Sequence, residues 1–320
     1  MNSNNIVKYN YLKKNYILII FPIISFLGGI WQGQYTDDGY HWGFILSNAL
    51  DLIDGKEPYK EIFIQYGFFS TLLNSLVLYI FKKNIISLIF LTSFFYSLSI
   101  YLIGILTQRF TSNKYYAFLS TLIIFFIYPW PTAPWPYFQA FFFSILFSFF
   151  YTSDKEKYSI YSGIALGLAL LSFTTVYNFI LLFFISFVIG FLLISYKNLN
   201  IDFIKKNIYF LISLIITISI FIIYLLINKL FNTWLLYLKL PFLQATIAER
   251  SIFSNLIDYL NFLTFYSTKN FIDEPQWILY VTFFAANLIF IIIMLTKIYI
   301  KKNYSNENLN LLFFNVFIFS

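Results

Sequence analysis

The sequence predicts an all-α fold: a polytopic transmembrane helical bundle with an amphipathic or re-entrant segment on its outer face after the first helix. Three observations carry this expectation. Of the 320 residues, 60% are hydrophobic and only 11% are charged, against about 25% charged in ordinary globular domains. The apolar residues fall in successive runs close to the ~20 residues that cross a bilayer. The charges gather between those runs, where Lys and Arg report orientation. The same composition excludes a disordered tail, and the lack of cysteine excludes a disulfide scaffold. The net charge of +7 is spread along these connections, so no nucleic-acid partner is expected.

Taken in order, Lys8, Lys13 and Lys14 precede an apolar run, and the first transmembrane helix is expected over 16–33. No small-residue cleavage site follows it. Trp31, Gln32 and Tyr35 come next and read as interfacial anchors, so this helix should be retained. An external interfacial segment follows over 34–84. The helix bundle is then expected over 85–227, from runs at 85–107, 115–129, 137–152, 159–173, 177–196 and 207–227. A second external segment covers 228–275, and a further crossing covers 276–296. The run from Leu309 to Ser320 is too short to cross and reads as an incomplete last helix of a truncated chain, or as a helix lying at the interface.

Tyr158 to Tyr196 contains no charged residue. As one helix it would measure about 58 Å at 1.5 Å per residue, nearly twice a bilayer's hydrocarbon thickness. Two helices are therefore expected, turning at Thr174, Thr175, Tyr177 and Asn178. Gly163 and Gly167, four apart, give the first of them a face suited to close helix packing.

Orientation turns on the run at 62–81. If every run crosses, twelve of the 21 Lys and Arg residues lie outside, against the positive-inside rule. If 62–81 instead dips in and returns, or lies along the membrane, thirteen lie inside. The +7 then divides into +9 inside and −2 outside, which favours this second arrangement with a cytoplasmic N-terminus. Abundant Lys, Asn, Ile, Phe and Tyr point to AT-rich codons, hence to a bacterial cytoplasmic (inner) membrane.

The first outer segment holds six of the fourteen acids and the only histidine. Asp37 and Asp38 stand where the chain leaves the membrane. From Phe44 to Asp54, apolar Phe44, Ile45, Ala49, Leu50, Leu52 and Ile53 interleave with Ser47, Asn48, Asp51 and Asp54, the pattern of an interfacial amphipathic helix. Gly55 is its expected stop, and Pro58 prevents continuation. An ordinary use of Asp37 and Asp38 is to cap that helix. The other use is catalytic: clustered carboxylates at a membrane boundary can have raised pKa values, as a general base requires.

Three short stretches here, Asp37-Asp38-Gly39-Tyr40-His41, Gly55-Lys56-Glu57-Pro58-Tyr59 and Gln65-Tyr66-Gly67, resemble in order and spacing the first external loop of the GT-C membrane glycosyltransferases. That group includes protein O-mannosyltransferases and lipid A aminoarabinose transferases. The resemblance implies an outer-face enzyme that moves a sugar from a polyprenyl-phosphate donor to an acceptor. It places the catalytic role on Asp37, with Asp38 beside it. Substrate contacts are then expected from His41, Tyr59, Gln65 and Tyr66.

Arg250, the only outer arginine, suits the leaving phosphate, and it also suits a local pair with Glu249. The family often carries an acid in the next external loop and a Lys after the Gly-Leu-rich helix. This chain has Tyr128-Pro-Trp-Pro-Thr-Ala-Pro-Trp-Pro-Tyr137 and Phe173-Thr174-Thr175 at those places. In the first, Trp130 and Trp135 serve either as interfacial anchors or as a platform for a sugar ring.

Glu57 and Glu61, flanked by Lys56 and Lys60, read as a solvated turn. With no second His and no Cys, no metal site and no cofactor are expected. The lipid bilayer and the polyprenyl-phosphate donor are the expected partners. No phosphate-binding Gly-rich loop or Ser/His/Asp arrangement occurs. The alternatives left open are a transporter or flippase for lipid-linked saccharide and a structural partner in an assembly.

Overall fold

The computed structural model describes residues 17–35, 41–127, 133–153, 155, 157–173 and 201–238. These form helices α1 (Ile17–Gln32), α2 (His41–Ile53), α3 (Phe68–Ile80), α4 (Ile85–Thr111), α5 (Lys114–Ile127), α6 (Pro136–Tyr151), α7 (Lys157–Ser172) and α8 (Ile201–Ile227). A further helical stretch covers 231–238. Among the described residues there is no strand, only one isolated bridge between Pro58 and Ile62. The all-α class is observed. Two helices, α4 and the Lys205–Ile227 part of α8, are long and apolar enough to cross a membrane, and α1, α3, α5 and α6 are shorter and apolar. The expected helices at 177–196, 276–296 and 309–320 and the turn from Thr174 to Asn178 lie outside the described residues.

The chain divides into two units, 1–149 with 171–173, and 150–170 with 174–320. In the first unit α4 is the centre. Phe26 of α1 meets Phe90 and Phe94, while Leu18 lies beside Gly104, so α1 and α4 are antiparallel. Tyr96 Oη donates to the Ile124 carbonyl at 2.9 Å, and Gly104 faces Thr121, so α5 also runs against α4. Along α6 the contacts advance with α4: Tyr96 meets Phe138 and Arg109 meets Phe149. One end of this unit therefore carries Gly33, Asn84 and Trp135. The other carries Leu18, Arg109 and Lys114.

Local sequence sets these ends. Asn84 caps α4 by accepting the Ser87 N–H at 3.1 Å, an ordinary N-cap. Ser112 ends α4 in the left-handed conformation, its N–H on the Gln108 carbonyl. Arg109 donates to the Phe149 carbonyl at 2.7 Å and lies 4.4 Å over the Phe149 ring.

The stretch from α2 through α3 lies across the first of those ends. Trp42 packs with Ile89 and Ala133, and Ile45 and Ala49 pack with Leu78 and Leu88. Gly55, at φ +84°, ends α2 in a conformation that glycine adopts without strain. The chain then returns over α2, held by Asn48 Nδ2 donating to the Phe63 carbonyl at 2.8 Å. The expected apolar run of 62–81 is thus two elements. Ile62 and Ile64 are buried in irregular chain, and the helix begins only at Phe68.

With 13 residues, α3 is about 20 Å long. Its contacts follow one end of three helices. Ser70 Oγ donates to the Ser172 carbonyl at 2.5 Å, Gln139 Nε2 donates to Asn74 Oδ1 at 2.9 Å, and Leu78 packs on Leu88. A Cβ at Gly67 would fall on the carbonyl oxygens of Leu171 and Ser172, so the backbone itself makes this approach.

In the second unit, Gly163 and Gly167 of α7 lie against α8, where a Cβ would meet Ser213 and Phe210 at the first and Thr217 at the second. This is the close packing expected of small residues four apart. Tyr151 Oη donates to Asn207 Oδ1 at 2.8 Å. Of the expected external segment 228–275, the described part turns at Lys229 (φ 56°) and enters 231–238, where Trp234 meets Phe221 at 5.7 Å.

Beside an apolar core, burial shows two features unusual for a protein folded in water. Many of the buried side chains are Ser, Thr, Asn or Gln, among them Ser25, Thr92, Ser93, Ser97, Ser99 and Thr121. The exposed side chains form apolar helical stripes: Ile19, Ile20, Ile23, Ile24 and Leu27 on α1, and Ile208, Ile212, Ile215, Ile216, Ile220 and Ile223 on α8. In water each such side chain left unburied forgoes about 1.5–3 kcal/mol.

Candidate active site

The site expected at the start of α2 is assembled from aromatic rings. His41, exposed at the first position of α2, has its ring centroid 5.1 Å from that of Trp135. Tyr66 meets Trp135 edge-on at 5.7 Å and stacks on Phe173 at 5.8 Å and 20°. Tyr137 lies nearly parallel to Trp135 at 6.5 Å. Prolines on both sides fix the backbone of Trp135, and its N–H donates to the Ala133 carbonyl at 2.8 Å. The half-buried indole thus joins the start of α2, the end of the return loop and the start of α6. Offset and edge-on rings at these separations attract one another by about 0.5–1.5 kcal/mol per pair.

Of the expected site residues, His41 and Tyr66 come together on Trp135. Gln65, just before Tyr66, is exposed. Tyr59 does not join them: at φ 64° it is buried, its N–H donates to the Ile62 carbonyl at 3.0 Å, and its ring lies 6.4 Å from Phe68. It pins the return loop. Asp37, Asp38, Arg250 and Trp130 lie outside the described residues.

Three of the four remaining acids of this segment make local contacts. Asp51 accepts from Lys56 Nζ at 2.6 Å, Glu57 accepts from Lys60 Nζ at 2.7 Å, and Glu61 accepts the Glu57 N–H at 2.7 Å. The hydrogen bond and charge of Asp51 raise the Lys56 pKa above its usual value, and Glu57 does the same for Lys60. Both lysines are exposed, and such pairs contribute little to stability. Among the described residues no three His, Asp or Glu side chains converge as a metal site.

Two features lie beyond what the sequence singled out. Trp135, Phe173 and Tyr66 come from three separated segments, and nothing local to any of them announces the others. The amide pair Asn74–Gln139 is fully buried, and Gln139 Oε1 has no hydrogen-bond partner. Its signal was present: amides inside apolar runs are costly there and commonly mark contacts between helices.

Compared with family models, with curated proteins and with solved structures, the chain matches none.

Proposed function

We propose that the chain is a polytopic membrane protein of the bacterial cytoplasmic membrane, and that its capped end carries a GT-C-like glycosyl transfer site on the outer face. The membrane reading rests on the exposed apolar stripes, together with the hydroxyls and amides buried among the apolar core residues. Lipid is a solvent that suits this distribution: buried hydroxyls such as Ser97, Ser99 and Thr121 donate to carbonyls of their own helices, the Asn74–Gln139 amides meet across helices, and the apolar stripes need no partner. With Arg109 and Lys114 inside by the positive-inside rule, the end carrying α2, α3 and Trp135 faces out.

The catalytic reading is carried by one observation. His41 lies against Trp135, which Tyr66 also meets, at this end; Asp37 and Asp38 precede His41 by four and three residues in the sequence, and the proposal has them act at this aromatic surface. Aromatic faces suit the C–H faces of a sugar ring. In the proposed reaction the Asp37 carboxylate takes the proton of an acceptor hydroxyl. The acceptor oxygen bonds to the anomeric carbon as the carbon–oxygen bond to the lipid phosphate breaks. The phosphate leaves with the electron pair, and Arg250 is the candidate cation to receive it.

The test is sugar transfer by the purified full chain in proteoliposomes, using a radiolabelled polyprenyl-phosphate sugar. Asp37→Asn should lower the rate by about 10²–10⁴, the usual contribution of a general base. Full transfer with both Asp37→Asn and Asp38→Asn would overturn the assignment. Movement of intact lipid-linked saccharide across the bilayer without transfer would establish the flippase alternative.

A further inference from the structure

α3 differs from the other surface elements of the capped end. Its underside, toward Ser172 and Gln139, carries Ser70, Thr71, Asn74 and Ser75, all buried. Its opposite face carries Leu72, Leu76, Tyr79 and Ile80, exposed at 42, 51, 75 and 62%, and Phe81 continues the stripe at 56%. The stripe runs directly into Lys82 and Lys83, both exposed. The other two described lysines of this end, Lys56 and Lys60, are each bonded to a carboxylate. No acid pairs with Lys82 or Lys83 among the described residues.

We infer that α3 and Lys82–Lys83 form a docking surface for an anionic phospholipid of the outer leaflet. The helix lies in the plane of the interface, the Leu72–Leu76–Tyr79–Ile80 stripe enters the acyl boundary, and the two ammonium groups hold the lipid phosphate. Charge complementarity selects this occupant. The apolar stripe accepts any acyl chain, but two adjacent unpaired lysines at its end favour a negatively charged head. The outer position, which rests on the orientation proposed above, makes the pair the more telling, because lysines are disfavoured on that side. An in-plane helix of this kind binds through buried apolar area and attraction to anionic lipid, and each lysine near such a surface contributes measurably.

The chain contains no cysteine, so Tyr79→Cys gives a single labelling site. The full chain carrying this substitution and an environment-sensitive dye is reconstituted in nanodiscs of phosphatidylcholine alone or mixed with phosphatidylglycerol. Spin-labelled lipids of either head group serve as quenchers. Expected are an apolar dye environment and roughly three- to tenfold stronger quenching by spin-labelled phosphatidylglycerol than by phosphatidylcholine. Lys82→Gln with Lys83→Gln should abolish the preference while leaving the dye apolar.

A water-exposed dye, or equal quenching by the two lipids, overturns the inference. Labelling at Lys83→Cys from the cytoplasmic side alone overturns the orientation instead. Neither readout needs turnover, so Asp37→Asn protein must behave as wild type here even if no sugar is transferred.

Discussion

α2 and α3 lie across the same end of one unit, and each has 13 residues, yet they are built in opposite senses. α2 buries Trp42, Ile45 and Ala49 and exposes His41 and Ser47. α3 buries mostly hydroxyls and an amide, with Leu78 beside them, and exposes Leu, Ile and Tyr. A helix seated by apolar contacts tolerates water on its far side, whereas a helix with an apolar far side is better suited to an apolar neighbour there, the role proposed above for lipid. The pair teaches that an interface element is defined by which face it gives to the protein, since both helices are amphipathic.

The contrast breaks most severely at Gly67. Gly67→Val places a side chain on the Leu171 and Ser172 carbonyls and should destabilise the protein by about 3 kcal/mol, the upper part of the overpacking range. Thermal unfolding in detergent, followed by tryptophan fluorescence, measures it.

Next is the amide pair that seats α3. Asn74→Leu leaves Gln139 without its acceptor and should cost about 1–3 kcal/mol. Asn74→Leu combined with Gln139→Leu removes both unpaired groups and should recover much of that loss. A double variant no more stable than the single one would mean that the hydrogen bond does not seat the helix.

On the α2 side, Asn48→Ala removes only the bond to the Phe63 carbonyl. It should cost about 1 kcal/mol, with faster hydrogen exchange confined to the return loop around 55–66.

The smallest effect belongs to the Asp51–Lys56 pair. Lys56→Gln should leave the melting temperature unchanged, because both partners meet solvent. The raised Lys56 pKa fixes the sign of any residual contribution. It is present through neutral pH and is lost as pH rises through the raised value, above the usual 10.5.

Much of this was legible in the sequence. The runs at 85–107, 115–129, 137–152, 159–173 and 207–227 appear as α4 to α8 with shifted ends. Gly55 stops α2, and Gly163 and Gly167 mark a close packing face. The run at 62–81 was legible only as apolar. Hydropathy cannot separate Ile62 and Ile64, buried in irregular chain, from Phe68 to Ile80, which form a helix, because both are apolar for different partners. Tyr59 read as a site residue from its place in a resembling motif, and its left-handed backbone and buried ring put it under the loop.

By itself the sequence determined the helical class: with so few charges and such long apolar runs it predicts helices that satisfy their own backbone, and the described residues form them. It also determined the local stops and caps, because glycine's backbone freedom and an Asn side chain act within a few residues. Only the tertiary structure decided that α3 lies across helix ends with its hydroxyls down, and that Trp135 joins His41 to Tyr66. Those arrangements depend on partners tens of residues away, and neither composition nor periodicity carries information about which distant backbone a side chain will meet.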